Sequence, residues 1–265
     1  VPRGTPGFAA GLDAEDEIVG LGGFRVVADK LDDRLKQLRV GEKTELLVAR
    51  RGKLAYFETH GQRDLAAGTP MPADAVFRMA SSTKPVTGVA VLMMMEEGRL
   101  RLSDKVREFI PEFRDFQVAT RKPGSKTAPG EAPEVVFEPA ARDLTILDLM
   151  THTSGLISGG VGAALFGNRR ERGDTLATYI PKLGQAALDF QPGTKWRYSG
   201  GAGIDTLGRI VEITSGLDFA TFLRTPIFEP LDMKDTSFDL TEDKLARLLP
   251  LYRRENDAWV QAPHP

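Results

Sequence analysis

Cysteine is missing from the 265 residues, which excludes disulfides and thiolate metal sites. Histidine is nearly missing. His60, His152 and His264 lie far apart and form no ligand pair at helical spacing, so a zinc site is not expected and no metal or cofactor is implied. An excess of charge of either sign is lacking too: 35 Lys and Arg stand against 37 Asp and Glu, a net charge of −2, which gives no reason to expect a nucleic acid or an anionic membrane as partner. No apolar run is long enough to span a bilayer, and no signal peptide opens the chain. The expectation is a cytoplasmic protein, or a mature form whose leader has been removed. What is present, 41% hydrophobic residues, is the composition of an ordinary soluble globular protein of one or two domains.

The chemistry concentrates at Phe77-Arg78-Met79-Ala80-Ser81-Ser82-Thr83-Lys84-Pro85 and the apolar run behind it. Val86, Val89, Ala90, Met93 and Met94 follow helical spacing, and Val91, Leu92 and Met95 fill much of the remaining circumference. This spacing predicts a central helix buried nearly all round, with Pro85 in its first turn and Gly98 at its end. Ser81 and Lys84, three apart, share one face of that helix. A serine hydroxyl needs a neighbouring base, and a lysine can serve as one where desolvation frees its amine of the proton. The helix start also offers N–H groups to an oxyanion. A serine cap followed by a surface lysine is equally common in helices, so the tetrapeptide by itself leaves both readings open.

A second stretch is Phe190-Gln191-Pro192-Gly193-Thr194-Lys195-Trp196-Arg197-Tyr198-Ser199-Gly200, where a Pro-Gly turn delivers Tyr198 ahead of a helix over about 202–214. A phenol beside a cationic amine ionises more readily and can carry the proton of a serine. By itself Tyr198 also reads as a half-buried aromatic on a turn.

Phe77 to Gly98, followed by Leu100-Arg101-Leu102-Ser103-Asp104-Lys105-Val106 and Phe109-Ile110-Pro111-Glu112-Phe113, resembles the serine β-lactamase and penicillin-binding-protein superfamily, in particular the branch of class C β-lactamases, DD-peptidases and family VIII carboxylesterases. The resemblance extends through Leu207-Gly208-Arg209-Ile210-Val211-Glu212 and Phe228-Glu229-Pro230-Leu231-Asp232-Met233. It implies an α+β fold with helices packed on an antiparallel sheet. It also implies Ser81 as nucleophile, Lys84 and Tyr198 as its proton carriers, and Ser199 and Gly200 at substrate-binding positions. His152-Thr153-Ser154-Gly155-Leu156 is then a structural corner near the site, with His152 a hydrogen-bonded corner residue rather than a base. The implied activity is hydrolysis of short-chain carboxylic esters through an acyl-enzyme, with a small-molecule ester as partner.

Two departures accompany the resemblance. The family's second motif is usually Tyr-x-Asn, and Gly200 stands at the third place, which disfavours β-lactamase or DD-peptidase turnover. The third motif, a Lys/His-x-Gly strand, has no match: Lys43-Thr44-Glu45 and Lys126-Thr127-Ala128 lack the glycine. Family members continue well beyond residue 265. A truncated domain would expose a sheet edge and an apolar face, and a homodimer or higher oligomer is expected to cover them. A catalytically weak or dead binding scaffold is the alternative from another class.

Before the hydrolase-like part, Gly4 to Leu12, Asp16-Glu17-Ile18-Val19 and Gly22-Gly23-Phe24-Arg25-Val26 look like the second part of a PDZ domain, without the strand and loop that bind a peptide carboxylate. Leu31, Leu35 and Leu38 predict a helix from about residue 29. The runs 44–50 and 53–59 predict a hairpin at Arg51-Gly52. The expected division is residues 1–42, PDZ-like, and 43–265, hydrolase-like, a chimera joined near 39–46. Further on, 117–143 read as a long surface loop, 145–151 as a helix opened by a Thr145/Asp148 capping box, 157–173 as a mobile glycine-rich and basic segment, and 174–183 as a short helix with Leu176, Tyr179 and Ile180 on one face.

Overall fold

The computed structural model describes residues 16–21, 24–25, 46–50, 53–54, 59–122, 124, 134–167 and 169–262. It divides into two compact units, Val1–Arg78 with Glu242–Pro265, and Met79–Thr241. Helix and strand are mixed, and among the described residues no helix is long and apolar enough to cross a membrane.

In the first unit, β1 (Asp16–Leu21), β2 (Phe24–Arg25), β3 (Leu46–Arg50) and β4 (Lys53–Leu54) form an antiparallel sheet of order β2-β1-β3-β4. The β1–β3 register slips between Ile18 and Gly20, a bulge that bends the strand. The strand pair of 16–25 and the hairpin of 46–54 therefore share one sheet. The expected Gly4–Leu12 segment and the helix from about residue 29 lie outside the described residues. β5 (Gln62–Asp64) pairs with β6 (Thr69–Pro70), and the Asp64 carboxylate accepts the Ala66 and Ala67 N–H groups of the turn between them.

The second unit opens with α1 (Thr83–Glu96), preceded by a single 3-10 turn over Ala80–Ser82. Gly98, at φ +70°, closes α1: its N–H donates to the Met95 carbonyl and that of Arg99 to the Met94 carbonyl, the pair of bonds that satisfies a helix C-terminus. Thr87, Ala90, Val91 and Met94 face the core. The helix is not buried nearly all round: Val89, Leu92 and Met95 are 48%, 40% and 37% exposed. Among the described residues, one stripe of α1 packs into the core, and the apolar residues on its other side are exposed.

After α2 (Val106–Phe109), the stretch read as a long loop holds two strands, β7 (Gln117–Arg121) and β8 (Val135–Pro139), paired antiparallel. Its proline and glycine content masked the β-prone ends, Gln117-Val118-Ala119-Thr120 and Val135-Val136-Phe137. α3 (Ile146–Met150) has the expected capping box, Thr145 Oγ1 accepting the Asp148 N–H while the Asp148 carboxylate accepts the Thr145 N–H. α4 (Val161–Phe166) lies within the stretch expected to be mobile, where the Asp189 carboxylate accepts the Ser158 and Ala163 N–H groups at 2.6 and 2.9 Å. α5 (Leu176–Tyr179) runs into a 3-10 turn over Ile180–Gln185. α6 (Ala202–Ser215) and α7 (Phe219–Leu223) follow. Ala202, Thr206, Leu207, Ile210 and Val211 put the inner face of α6 against α1 and α3. The core also takes in Leu144, Ile146 and Leu149 around α3, and Ile180, Leu183, Leu188, Phe222 and Leu223. Each fully buried Leu or Ile contributes about 1.5–3 kcal/mol. Among the described residues of this unit, helices pack mainly on helices and the sheet is the β7–β8 hairpin, whereas the four-stranded sheet lies in the first unit.

The chain returns to the first unit with α8 (Glu242–Arg247) and the hairpin β9 (Tyr252–Glu255) and β10 (Ala258–Gln261), turned by Asn256 and Asp257, both at positive φ. There the Val76 N–H donates to the Arg247 carbonyl, and the Tyr252 hydroxyl donates to Asp64.

A buried carboxylate fixes the start of α3. Asp148 accepts a two-pronged bond from Arg142 at 2.6 and 2.8 Å, and further bonds from the Thr145 and Thr153 hydroxyls. Burial alone would raise its pKa, but Arg142 and Thr145 outweigh it and hold the carboxyl below its ordinary value of 3.8. Asp148→Asn is therefore expected to lower the unfolding free energy in urea by about 1.5–3 kcal/mol at pH 7, the range of a hydrogen bond to a charged group. The wild-type advantage is present above the ordinary value of 3.8 and lost as the pH falls through the lowered folded-state value.

Candidate active site

Ala80 is a non-glycine residue at φ +44°, a conformation that costs about 1–3 kcal/mol and survives only where the surroundings enforce it. It turns the chain into the 3-10 segment that carries Ser81 to the mouth of α1, where the Ser82 N–H donates to the Met79 carbonyl at 2.9 Å. From α1, the Lys84 Nζ donates to Ser81 Oγ at 3.0 Å, as the three-residue spacing predicts. From 117 residues further along, the Tyr198 hydroxyl donates to the same oxygen at 2.8 Å. Lys84 Nζ also stands 5.0 Å from the centre of the Tyr198 ring. The Lys84 amine first, then the bond with Ser81, hold the Tyr198 hydroxyl below its ordinary value of 10. The structure thus brings Ser81, Lys84 and Tyr198 together, in an open site where Tyr198 is 45% exposed and Lys84 is half-buried.

Tyr198 reaches Ser81 because its loop is laid along the corner after α3. The Asp189 N–H donates to the Gly155 carbonyl, the Gly193 N–H to the Thr153 carbonyl and the Arg197 N–H to the His152 carbonyl, at 2.8, 2.9 and 3.0 Å. Gly155 has φ +76°, and a Cβ there would lie 2.5 Å from the Phe190 carbonyl oxygen, so glycine alone allows the two main chains to approach this closely. His152, at φ +59°, accepts the Ser199 N–H at Nδ1 and packs its ring 5.0 Å from Tyr198 and 6.2 Å, edge-on, from Trp196.

Ser199 was expected at a substrate-binding position, and its side chain is turned the other way. Its buried hydroxyl donates to the Leu156 carbonyl at 3.1 Å and accepts the Gly203 N–H at 3.2 Å, tying the corner to the first turn of α6. Gly200 is exposed, with open space where a side chain would begin. Sequence reasoning passed over Asp205, in the same turn of α6. It pairs with Arg170 at 3.0 Å; burial pushes its carboxyl up, with Arg170 and the Lys84 charge opposing. Its signal would have been a carboxylate one helical turn after Gly201. Among the described residues no cluster of His, Asp or Glu could hold a metal ion.

A serine oxygen held between an amine and a phenol at a helix start is an arrangement capable of nucleophilic acyl transfer, which is the class that this site defines. The beta-lactamase family model matches residues 32–265, and the chain belongs to that family. The match takes in residues 32–42, which the sequence pattern assigned to the PDZ-like segment. Esterase EstB of Burkholderia gladioli is 34% identical over 200 residues, 72% of this chain and 46% of its own length. Lovastatin esterase of Penicillium rubens is 32% identical over 210 residues, 76% of this chain and 50% of its own. The structure of EstCE1, described as a hydrolase with promiscuous acyltransferase activity, superimposes with a TM-score of 0.64 at 26% identity, over 82% of this chain and 53% of that one. The chain thus spans about half the length of the curated relatives it matches.

The placement of Ser199 has a direct test. Ser199→Ala leaves the buried Gly203 N–H without its acceptor and is expected to reduce the unfolding free energy by about 1–3 kcal/mol. A substrate-binding hydroxyl would instead leave urea unfolding unchanged and alter ligand affinity alone.

Proposed function

We propose that this chain carries the acyl-transfer centre of a serine carboxylesterase acting on short-chain esters. The observation behind this reading is the single Ser81 oxygen between Lys84 Nζ at 3.0 Å and the Tyr198 hydroxyl at 2.8 Å. With Tyr198 ionised, the 2.8 Å contact reverses and the Ser81 O–H donates to the phenolate. Ser81 Oγ attacks the ester carbonyl, its proton passing to Tyr198, while the Ser81 N–H at the helix start receives the oxyanion. Collapse expels the alcohol, which takes that proton, and leaves Ser81 acylated. Water, losing its proton to the same pair, then attacks the acyl group, releases the acid and restores Ser81. A small-molecule ester is the partner. The names of the relatives, two esterases and a hydrolase with acyltransferase activity, support the reaction class.

β-Lactamase or DD-peptidase activity is the lesser reading. The asparagine that the family resemblance implies after Tyr-x would hold a substrate's acyl side chain, and Gly200 offers no amide. The exposed Val89, Leu92 and Met95 support a homodimer or higher oligomer. The PDZ-like reading of residues 1–42 rests on their sequence pattern, with the shared β1–β3 sheet as the feature compatible with a join near 39–46.

Hydrolysis of p-nitrophenyl acetate and butyrate, with nitrocefin alongside, tests the function. Ser81→Ala is expected to reduce ester hydrolysis to the buffer rate and to abolish the acyl adduct seen by mass spectrometry. Lys84→Ala and Tyr198→Phe should each lose about 100- to 10,000-fold, the range of a general acid–base group. Equal rates for wild type and Ser81→Ala would overturn the proposal. The wild-type rate should rise with pH on a limb placed below 10, because ionised Tyr198 is the active form and its pKa is lowered. Gly200→Asn enters open space and should raise nitrocefin turnover relative to ester hydrolysis.

A further inference from the structure

His152 belongs to none of the proton-transfer steps above, yet it touches the loop that delivers Tyr198 at three points. Its carbonyl accepts the Arg197 N–H at 3.0 Å, its Nδ1 accepts the Ser199 N–H at 3.4 Å, and its ring lies 5.0 Å from the Tyr198 ring at an angle of 48°. The two main-chain bonds fall on the residues either side of Tyr198. We propose that neutral His152 is the positioning residue for Tyr198, and that protonation of its Nδ1 switches the site off at acid pH by breaking the bond to Ser199. This rests on the reading of Ser81 as nucleophile and Tyr198 as its proton carrier.

An Nδ1 that accepts a main-chain N–H carries no proton, so the ring proton is on Nε2. Adding a second proton sets an N–H against an N–H and removes the only attachment of the Ser199 main chain to this ring. It also places a second cation next to the first. The charged and titratable groups around the ring are Lys84 from α1 and Tyr198 from the loop. The carboxylates on the helices of this corner, Asp148 on α3 and Asp205 on α6, are paired with Arg142 and Arg170. Burial first, and the Lys84 charge second, keep the imidazole below its ordinary value of 6.5. The neutral, accepting ring is therefore the form present at neutral pH, and the switch operates below 6.5. Displacing Tyr198 by even about 1 Å would cost about 100-fold, because the proton has to move along the 2.8 Å contact.

His152→Asn and His152→Ala separate this role from the others. Asparagine places its Oδ1 where Nδ1 stands, accepts the same N–H, does not titrate, and tolerates the positive φ of +59°. With p-nitrophenyl butyrate, His152→Asn is expected within about 5-fold of wild type at pH 8; below 6.5 the wild-type kcat profile steepens beyond the slope set by Tyr198 ionisation, and His152→Asn abolishes that steepening while keeping the Tyr198 slope. His152→Ala should lose about 10- to 100-fold in kcat with KM changed less than about 3-fold, since it removes the acceptor without touching the substrate. A His152→Asn profile that steepens below 6.5 as the wild type does overturns the proposal. So does a folded His152→Asn as inactive as Ser81→Ala, which would make His152 the base. If His152→Ala does not fold, the presence or loss of the steepening below 6.5 in His152→Asn decides by itself. Failure of the nucleophile reading is distinguished by Ser81→Ala retaining the wild-type rate.

Discussion

The site depends on a main-chain clasp between two stretches far apart in sequence, His152–Gly155 and Asp189–Arg197. Three N–H···O bonds of 2.8–3.0 Å join them, and a glycine at +76° removes the one Cβ that would hold them apart. Hydrogen bonds between main chains do not depend on side-chain rotamers, so they fix the loop path within tenths of an ångström. Everything downstream follows from that path: the Tyr198 hydroxyl meets Ser81 Oγ, Ser199 turns its hydroxyl inward to start α6, and the His152 ring closes over the Ser199 N–H.

The clasp is itself held from behind. The buried Asp148 carboxylate accepts from Arg142, Thr145 and Thr153, so it fixes both the first turn of α3 and the start of the corner that follows it. On the other side, Asp189 gathers the Ser158 and Ala163 N–H groups and keeps α4 against the same corner. Two carboxylates remote from the Ser81 oxygen thereby set the geometry in which a serine, a lysine and a tyrosine meet. Ser81, Lys84 and Tyr198 are left comparatively exposed and the supporting groups are buried, which places the conformational constraint on the scaffold.

Some of this was legible in the sequence because it is local. Ser81 and Lys84 share a helix face by spacing alone, Thr145 and Asp148 announce a cap, and Gly98 announces a helix stop. The extent of burial of α1 was not legible. Val89, Leu92 and Met95 are as apolar as Val91 and Met94, and nothing in a run of apolar residues says which of them find neighbours. The β7–β8 strands were hidden because the pairing of Gln117–Arg121 with Val135–Pro139 is a non-local property, while the proline and glycine between them dominate local composition. The inward turn of the Ser199 hydroxyl was hidden for a related reason: a hydroxyl next to an exposed tyrosine has no orientation until the Leu156 carbonyl and the Gly203 N–H are in place.

The sequence by itself determined the family resemblance, the placing of Ser81 and Lys84 on one helix face, and the glycine and capping residues that end and begin helices. Each of these is carried by residues a few positions apart, where covalent spacing already sets distance. Only the tertiary structure decided that Tyr198, 117 residues away, shares the Ser81 oxygen, that His152 accepts the Ser199 N–H, and that the Ser199 hydroxyl turns inward to the Leu156 carbonyl. Those contacts come from packing and from main-chain pairing between distant segments, and spacing along the chain carries no record of either.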